Sequence, residues 1–104
     1  MKKIIKIDYR AERELNKFSE AVYYKFEGLI RILRAQGEID FPEGKKIGRN
    51  LFEIRIKLNG EYRGFYAYIG LEKIIILHFF KKKSQRTPMK DVKVSERRLK
   101  EYGR

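Results

Sequence analysis

Apolar and polar residues follow two different rhythms along this chain, and the change of rhythm divides it into elements. Ile5 and Ile7 fall on one side of an extended segment and Ile4 on the other, which predicts a short strand over residues 3–7. Leu15, Phe18, Val22, Phe26, Leu29 and Leu33 then recur at spacings of three and four, the period of a helix with one buried face. Ser19, just before Glu20-Ala21-Val22, offers the hydroxyl of a good N-cap. The stretch is therefore expected to split into two helices, about 10–17 and 20–35, meeting near Phe18-Ser19. Gly37 stops the second, because glycine takes the left-handed conformation that ends helices.

Residues 38–49 contain Pro42, Gly44 and Gly48 and show no period, so they are expected to form a connector. Alternation returns over 51–58, with Phe52, Ile54, Ile56 and Leu58 facing one way and Glu53, Arg55 and Lys57 the other. Asn59-Gly60 is a hairpin turn signal, 61–69 an aromatic-rich strand, 70–72 a second turn, and 73–80 a more apolar strand. A strand that apolar belongs near the middle of the sheet, covered on both faces. Residues 81–86 read as a cationic loop, and Thr87-Pro88 as a helix start with Thr87 the N-cap and Pro88 the first helical residue. The last helix should run to Tyr102, with Val92, Leu99 and Tyr102 as a thin apolar stripe. The order predicts one α+β domain over 1–104, with its helices on one face of an antiparallel sheet.

The turn decides what the two middle strands present. A two-residue Asn59-Gly60 loop sets Arg55 opposite Gly64 and puts Arg63 on the Ile54–Ile56 side. A three-residue loop with a left-handed Gly60 bulge pairs Lys57 with Glu61, so that Arg55 and Arg63 share one face. A guanidinium inside the Phe52–Ile56 layer would be costly, so the bulged turn is expected, with Arg63 facing out from the sheet.

Charge narrows the function. Lys and Arg outnumber Asp and Glu 26 to 14 in 104 residues, for a formal +12. The segment 81–104 alone holds ten basic and three acidic residues. Such a field favours a polyanion: nucleic acid, a ribosomal surface or an acidic protein. The chain has no cysteine and one histidine, which excludes thiol nucleophiles, disulfides and zinc clusters, so no metal or cofactor is expected. Residues 1–9 are basic but lack the apolar core and cleavage site of a signal peptide, and 74–80 is too short to span a bilayer. A cytoplasmic protein without membrane contact is expected.

Three motifs carry a resemblance. Leu51-Phe52-Glu53-Ile54-Arg55 and Tyr62-Arg63-Gly64-Phe65-Tyr66 resemble the strand pair of the RelE/ParE toxin superfamily. The run from His78 through Phe79-Phe80-Lys81-Lys82-Lys83-Ser84-Gln85-Arg86 to Thr87-Pro88 is similar to a motif of its phage-derived HigB-like branch. The likeness spans residues 9–102. It implies a RelE-like fold and the toxin of a type II toxin–antitoxin system, a ribosome-dependent endoribonuclease that cuts translated mRNA. It also implies a cognate antitoxin, often with a helix-turn-helix domain, for which an acidic contact surface is the physical expectation. The superfamily's site residues correspond here to Arg63, Arg55 and Lys82. Pro88-Met89 occupies the place of a tyrosine that contributes to cleavage in the RelE branch, which leaves the proton-transfer group open.

The residues themselves support metal-independent attack by a 2′-hydroxyl, with Arg and Lys stabilising the phosphate charge. Arg63 lies mid-strand, a rigid place for a planar fork, although a cross-strand ion pair with Glu53 explains it too. Lys82 and Lys83 are each either an acid–base group or an RNA contact, and Lys57, Lys81, Gln85 and Arg86 read as RNA contacts. His78 sits in an apolar strand and reads first as a hydrogen-bonded structural residue, second as an acid or base. Tyr62, Tyr66 and Tyr68 recur at even positions and read as core. The rival functions are a ParE-like DNA gyrase poison and a non-catalytic ribosome- or RNA-binding module.

Overall fold

The structure is a computed structural model that describes residues 2–83, 86 and 88–102. Its elements are β1 (Ile4–Ile7), α1 (Tyr9–Asn16), α2 (Glu20–Gln36), β2 (Gly44–Gly48), β3 (Leu51–Lys57), β4 (Glu61–Ile69), β5 (Lys73–Lys82) and α3 (Met89–Leu99). Single residues set the helix ends. The Asp8 carboxylate accepts from the Arg10 and Ala11 amides and starts α1. Ser19 accepts from the Val22 amide and starts α2, and Gly37, at φ 85°, donates to Leu33 and ends it.

The five strands lie in the order β1-β5-β4-β3-β2. The meander from β3 to β5 is antiparallel as expected and β2 adds a further antiparallel strand, but β1 pairs in parallel with β5. Residues 38–49 are not all connector: Gly44–Gly48 forms β2 on the sheet edge. Two glycines and two lysines hide that strand from an alternation test, and its pairing with β3 creates it. Gly44 is needed there, because a Cβ would lie 2.0 Å from the Ile39 carbonyl oxygen. β5 runs two residues further than its apolar pattern, so Lys81 and Lys82 belong to a strand.

The helices divide between the two faces of the sheet. Ala11 and Leu15 of α1 and Val22, Phe26, Ile30 and Leu33 of α2 pack on Ile54, Ile56, Tyr66, Ile74, Ile76 and Phe79. The other face carries Leu51, Phe65, Ala67, Ile75 and Leu77, against which Val92, Leu99 and Tyr102 pack. The expectation of helices on one face is therefore corrected. Residues of both parities along β4 and β5 are apolar, so both faces need cover. Tyr66 is fully buried and Tyr62 and Tyr68 pack beside it, a core stripe. α3 begins one residue later than expected, with Pro88 at the N-cap position, and ends at Leu99, leaving Tyr102 in the following turn. Thr87, the expected cap, lies outside the described residues.

Because α3 brings few apolar side chains, polar bonds do much of its fastening. β1 ends opposite Ile76, which opens the outer edge of β5 just where a bulge falls at Leu77. Arg98 donates to the freed Leu77 carbonyl at 2.8 Å and to Glu14 at 3.0 Å. Glu14 also accepts from the Phe79 amide at 3.1 Å. His78 stands between Glu14, 2.9 Å from Nδ1, and Asp91 of α3, 2.7 Å from Nε2. A neutral imidazole has one N–H and serves one of these carboxylates; an imidazolium serves both. Further along, the Tyr102 hydroxyl donates to buried Asp8 at 2.6 Å and Arg10 joins Asp8 to Glu101. Burial and the bond to Asp8 push the Tyr102 hydroxyl up to about 12.

Burial alone would raise the Glu14 pKa, but bonds from His78, Arg98 and the Phe79 amide override it and bring it from 4.5 to about 2. A depressed folded-state pKa contributes stability that is complete above the unfolded value and fades as pH falls through the folded one. Glu14→Gln should therefore destabilise the protein by about 2 kcal/mol at pH 7 and by a fraction of that near pH 2. Denaturant titrations of both proteins at the two pH values measure the difference.

Candidate functional site

The β3–β4 hairpin sets the site. Asn59 and Gly60 both take positive φ, 53° and 135°, and the loop closes with Lys57 opposite Glu61. This is the bulged register, and it places Arg55 directly opposite Arg63. On the face that α3 shares, the sheet reads as rows from β3 across to β5. Glu53, Phe65 and His78 form one row, Arg55, Arg63 and Phe80 the next, and Lys57, Glu61 and Lys82 the last. Cations gather in the last two rows, and α3 packs toward the other end of the face, over Phe65, Ala67, Ile75 and Leu77.

Arg63 lies on the expected face but is covered there. It is 5% exposed, donates to Glu53 at 2.8 Å and to Glu61 at 2.6 Å, and keeps a buried Nε without a hydrogen-bond partner. The cross-strand pair with Glu53 is therefore formed, and Glu53 is itself buried, at 4% exposure. Burial pulls the guanidinium pKa down, but the bonds to Glu61 and Glu53 outweigh it and hold the pKa above its ordinary value. Glu61 stands at the mouth, its side chain 41% exposed. The bond from Arg63 holds its carboxyl below the usual range, with help from Lys57 and Lys82.

Arg55 turns toward the sheet edge, donating to the Pro42 carbonyl at 3.2 Å and lying 5.9 Å from the Phe41 ring centre. A cleft of about 830 Å³ runs from this cluster to the outer side of α2, lined by Arg55, Lys57, Glu61, Arg63 and Lys82 and by Tyr24, Gly28 and Ile32.

The other expected site residues divide. Lys57 and Lys82 share the face of Arg55 and Arg63. Lys81 points to the opposite face, over the Tyr62 ring at 5.7 Å, and is not part of the cluster. Lys83 and Arg86 are exposed beyond β5, and Gln85 lies outside the described residues. His78 is buried, clamped by two carboxylates and stacked on Phe80, away from the cleft. Sequence reasoning missed Glu61 as a partner of Arg63; the i, i+2 spacing on one strand face was the available signal. No group of three or more His, Cys, Asp and Glu suited to a metal occurs among the described residues. No described helix is long and apolar enough to cross a membrane.

The arrangement is that of a small α+β protein with a cationic sheet end beside a cleft, and its fold is the RelE fold. An arginine-to-alanine double mutant of E. coli toxin RelE in the free state aligns with a TM-score of 0.69, at 16% identity, over 98% of this chain and 99% of that one. The isolated E. coli RelE toxin aligns with a TM-score of 0.52, at 18% identity, over 90% and 97%. Residues 13–100 match the family described as phage-derived protein Gp49-like (DUF891), and the chain belongs to it. No match is found among curated protein sequences.

Removing one member of a buried ion pair strands the other's charge. Arg63→Ala should lower stability by about 3 kcal/mol, and Glu53→Ala similarly, while the double mutant should fall well short of their sum. A double-mutant cycle in denaturant measures the coupling; additive losses would show that the pair is not held in solution.

Proposed function

We propose that this protein is the toxin of a toxin–antitoxin pair, of the HigB-like branch, and that it cleaves mRNA on the ribosome in the cytoplasm. The observation that carries the reading is the cross-strand juxtaposition of Arg55, Arg63, Lys57 and Lys82 around one exposed carboxylate on an open sheet face. Cations so placed stabilise charge on a phosphorane without a metal. The arginine forks grip two oxygens at once, which lysines do as point charges.

The reaction needs little beyond this. The 2′-hydroxyl of the RNA attacks the adjacent phosphorus and the bond to the 5′-oxygen breaks, leaving a 2′,3′-cyclic phosphate and a free 5′-hydroxyl. Glu61 takes the 2′-proton and the Lys82 ammonium supplies one to the leaving oxygen. Glu61 is a weak base while Arg63 holds it. An RNA phosphate that displaces it from Arg63 removes the main cause of its depressed pKa and strengthens it as a base. Glu53, buried, stays on the other fork of Arg63 and keeps it aimed. The cognate antitoxin presents acidic groups to the same cations, so that association is steered by charge and slows with salt.

Induced expression without the antitoxin should arrest growth, and mapped mRNA 5′ ends should show cuts in translated regions. Arg55→Ala, Lys82→Ala and Glu61→Gln should each lower cleavage by roughly 10²-fold or more while circular dichroism stays unchanged. His78→Gln should cut normally and melt earlier. Intact transcripts with gyrase-dependent DNA breaks would assign the protein to the poisons of DNA gyrase. Ribosome binding without cuts would leave it a non-catalytic RNA-binding module.

A further inference from the structure

α2 carries a glycine that its own packing does not require. Gly28 sits in the middle of a 17-residue helix, where glycine is the poorest helix former after proline. A Cβ built on it meets nothing within 4 Å. No close approach of backbone, ring or neighbouring helix accounts for the missing side chain. Tyr24, Gly28 and Ile32 follow at steps of four and so stand in one line along the helix. The glycine cuts a notch, one side chain wide, between an aromatic ring and an aliphatic side chain. Both flanks are uncovered, Tyr24 at 61% and Ile32 at 43% exposure. Tyr23 meets the Tyr24 ring edge-on at 5.4 Å.

The notch opens into the cleft that Arg55, Lys57 and Lys82 line. Arg63 lines the same cleft, 5% exposed, with the one buried side-chain nitrogen among the described residues that has no partner. A space kept open at the expense of helix propensity therefore adjoins a cluster of cations.

We infer that the Gly28 notch is a nucleobase subsite, which takes one base of single-stranded RNA against the Tyr24 ring while neighbouring phosphates lie on Arg55, Lys57 and Lys82. The inference rests on the RNA-cleaving reading and deepens it by naming where a base beside the cut is held. A base is flat, stacks on an aromatic ring irrespective of its edge, and brings an attached phosphate to the cations. Five cations and two carboxylates line the cleft, a balance that suits a polyanion. A partner helix would instead need a continuous apolar ridge to lie on, and the notch interrupts that ridge between Tyr24 and Ile32.

Gly28→Leu fills the notch with a better helix former, so the variant folds and melts no lower than the parent. Binding is read by fluorescence anisotropy with a short labelled 2′-O-methyl RNA, which lacks the 2′-hydroxyl and cannot be cut, and with an abasic strand of equal length. Gly28→Leu and Tyr24→Ala should each bind the base-bearing strand about tenfold more weakly. Both should hold the abasic strand as the parent does, and Tyr24→Phe should restore full binding. If the parent cuts and binds RNA while Gly28→Leu binds the base-bearing strand equally well, the subsite is refuted and the nuclease reading stands. If the parent neither cuts nor binds RNA, both fall together. If Gly28→Leu spares RNA but loses affinity for an acidic amphipathic peptide, the notch is a protein-docking feature and the proposal is overturned.

Discussion

Side chains alternate along a strand, so a slip of one residue between β3 and β4 exchanges the two faces of the hairpin. The three-residue closure at Leu58-Asn59-Gly60 prevents that slip, and most of the molecule follows from it. In the observed register Gly64 lies under Phe79 and Phe26, where even a Cβ would come within 2.8 Å of a ring carbon. Ile54 and Ile56 meet the helix pair, and Arg55 meets Arg63 on the far side. The other register would bring Arg63 to that crowded layer, at the cost of burying a charge among rings. Core packing and cation placement are thus one constraint seen from two faces.

Two guanidiniums directly opposite each other repel, and the fold answers with Glu53. It bonds Arg63 at 2.8 Å and lies 3.9 Å from Arg55, close enough to moderate both. The arginine pair is therefore stable only as part of a set that includes a buried carboxylate. An arginine held by a buried acid on one fork and an exposed acid on the other is rigid yet has one exchangeable partner. That asymmetry suits the phosphate-binding role proposed for Arg63: a fixed position, and a weak competitor for the place of the ligand.

The other end of the same face is held by a different balance. α3 covers a small apolar patch, and the Glu14, His78, Asp91 and Arg98 network joins it to α1 and the open edge of β5. Acidic side chains that a charge census treats as surface, among them Asp8 and Glu14, are spent inside the protein. Positive charge is then left at the open end of the sheet, on Lys57 and Lys82, and on exposed Lys83 and Arg86 beyond β5.

What could be read along the chain was whatever depends on neighbours in sequence: the helical period, the alternation of β3 and β4, the Ser19 and Gly37 caps, and the turn that chooses the register. Those signals were enough for the α+β order, the paired arginines and the core tyrosines. β2 was hidden because a lysine-and-glycine edge strand acquires its conformation from its neighbour. The division of the helices between two faces was hidden because it depends on which apolar side of β5 each helix covers, and local period is silent on that. Arg63 looked outward because alternation tells the face of a side chain and not its cover. Burial is a property of everything that packs nearby, and so the two carboxylates around Arg63, and the open notch at Gly28, existed only once the strands and helices had met.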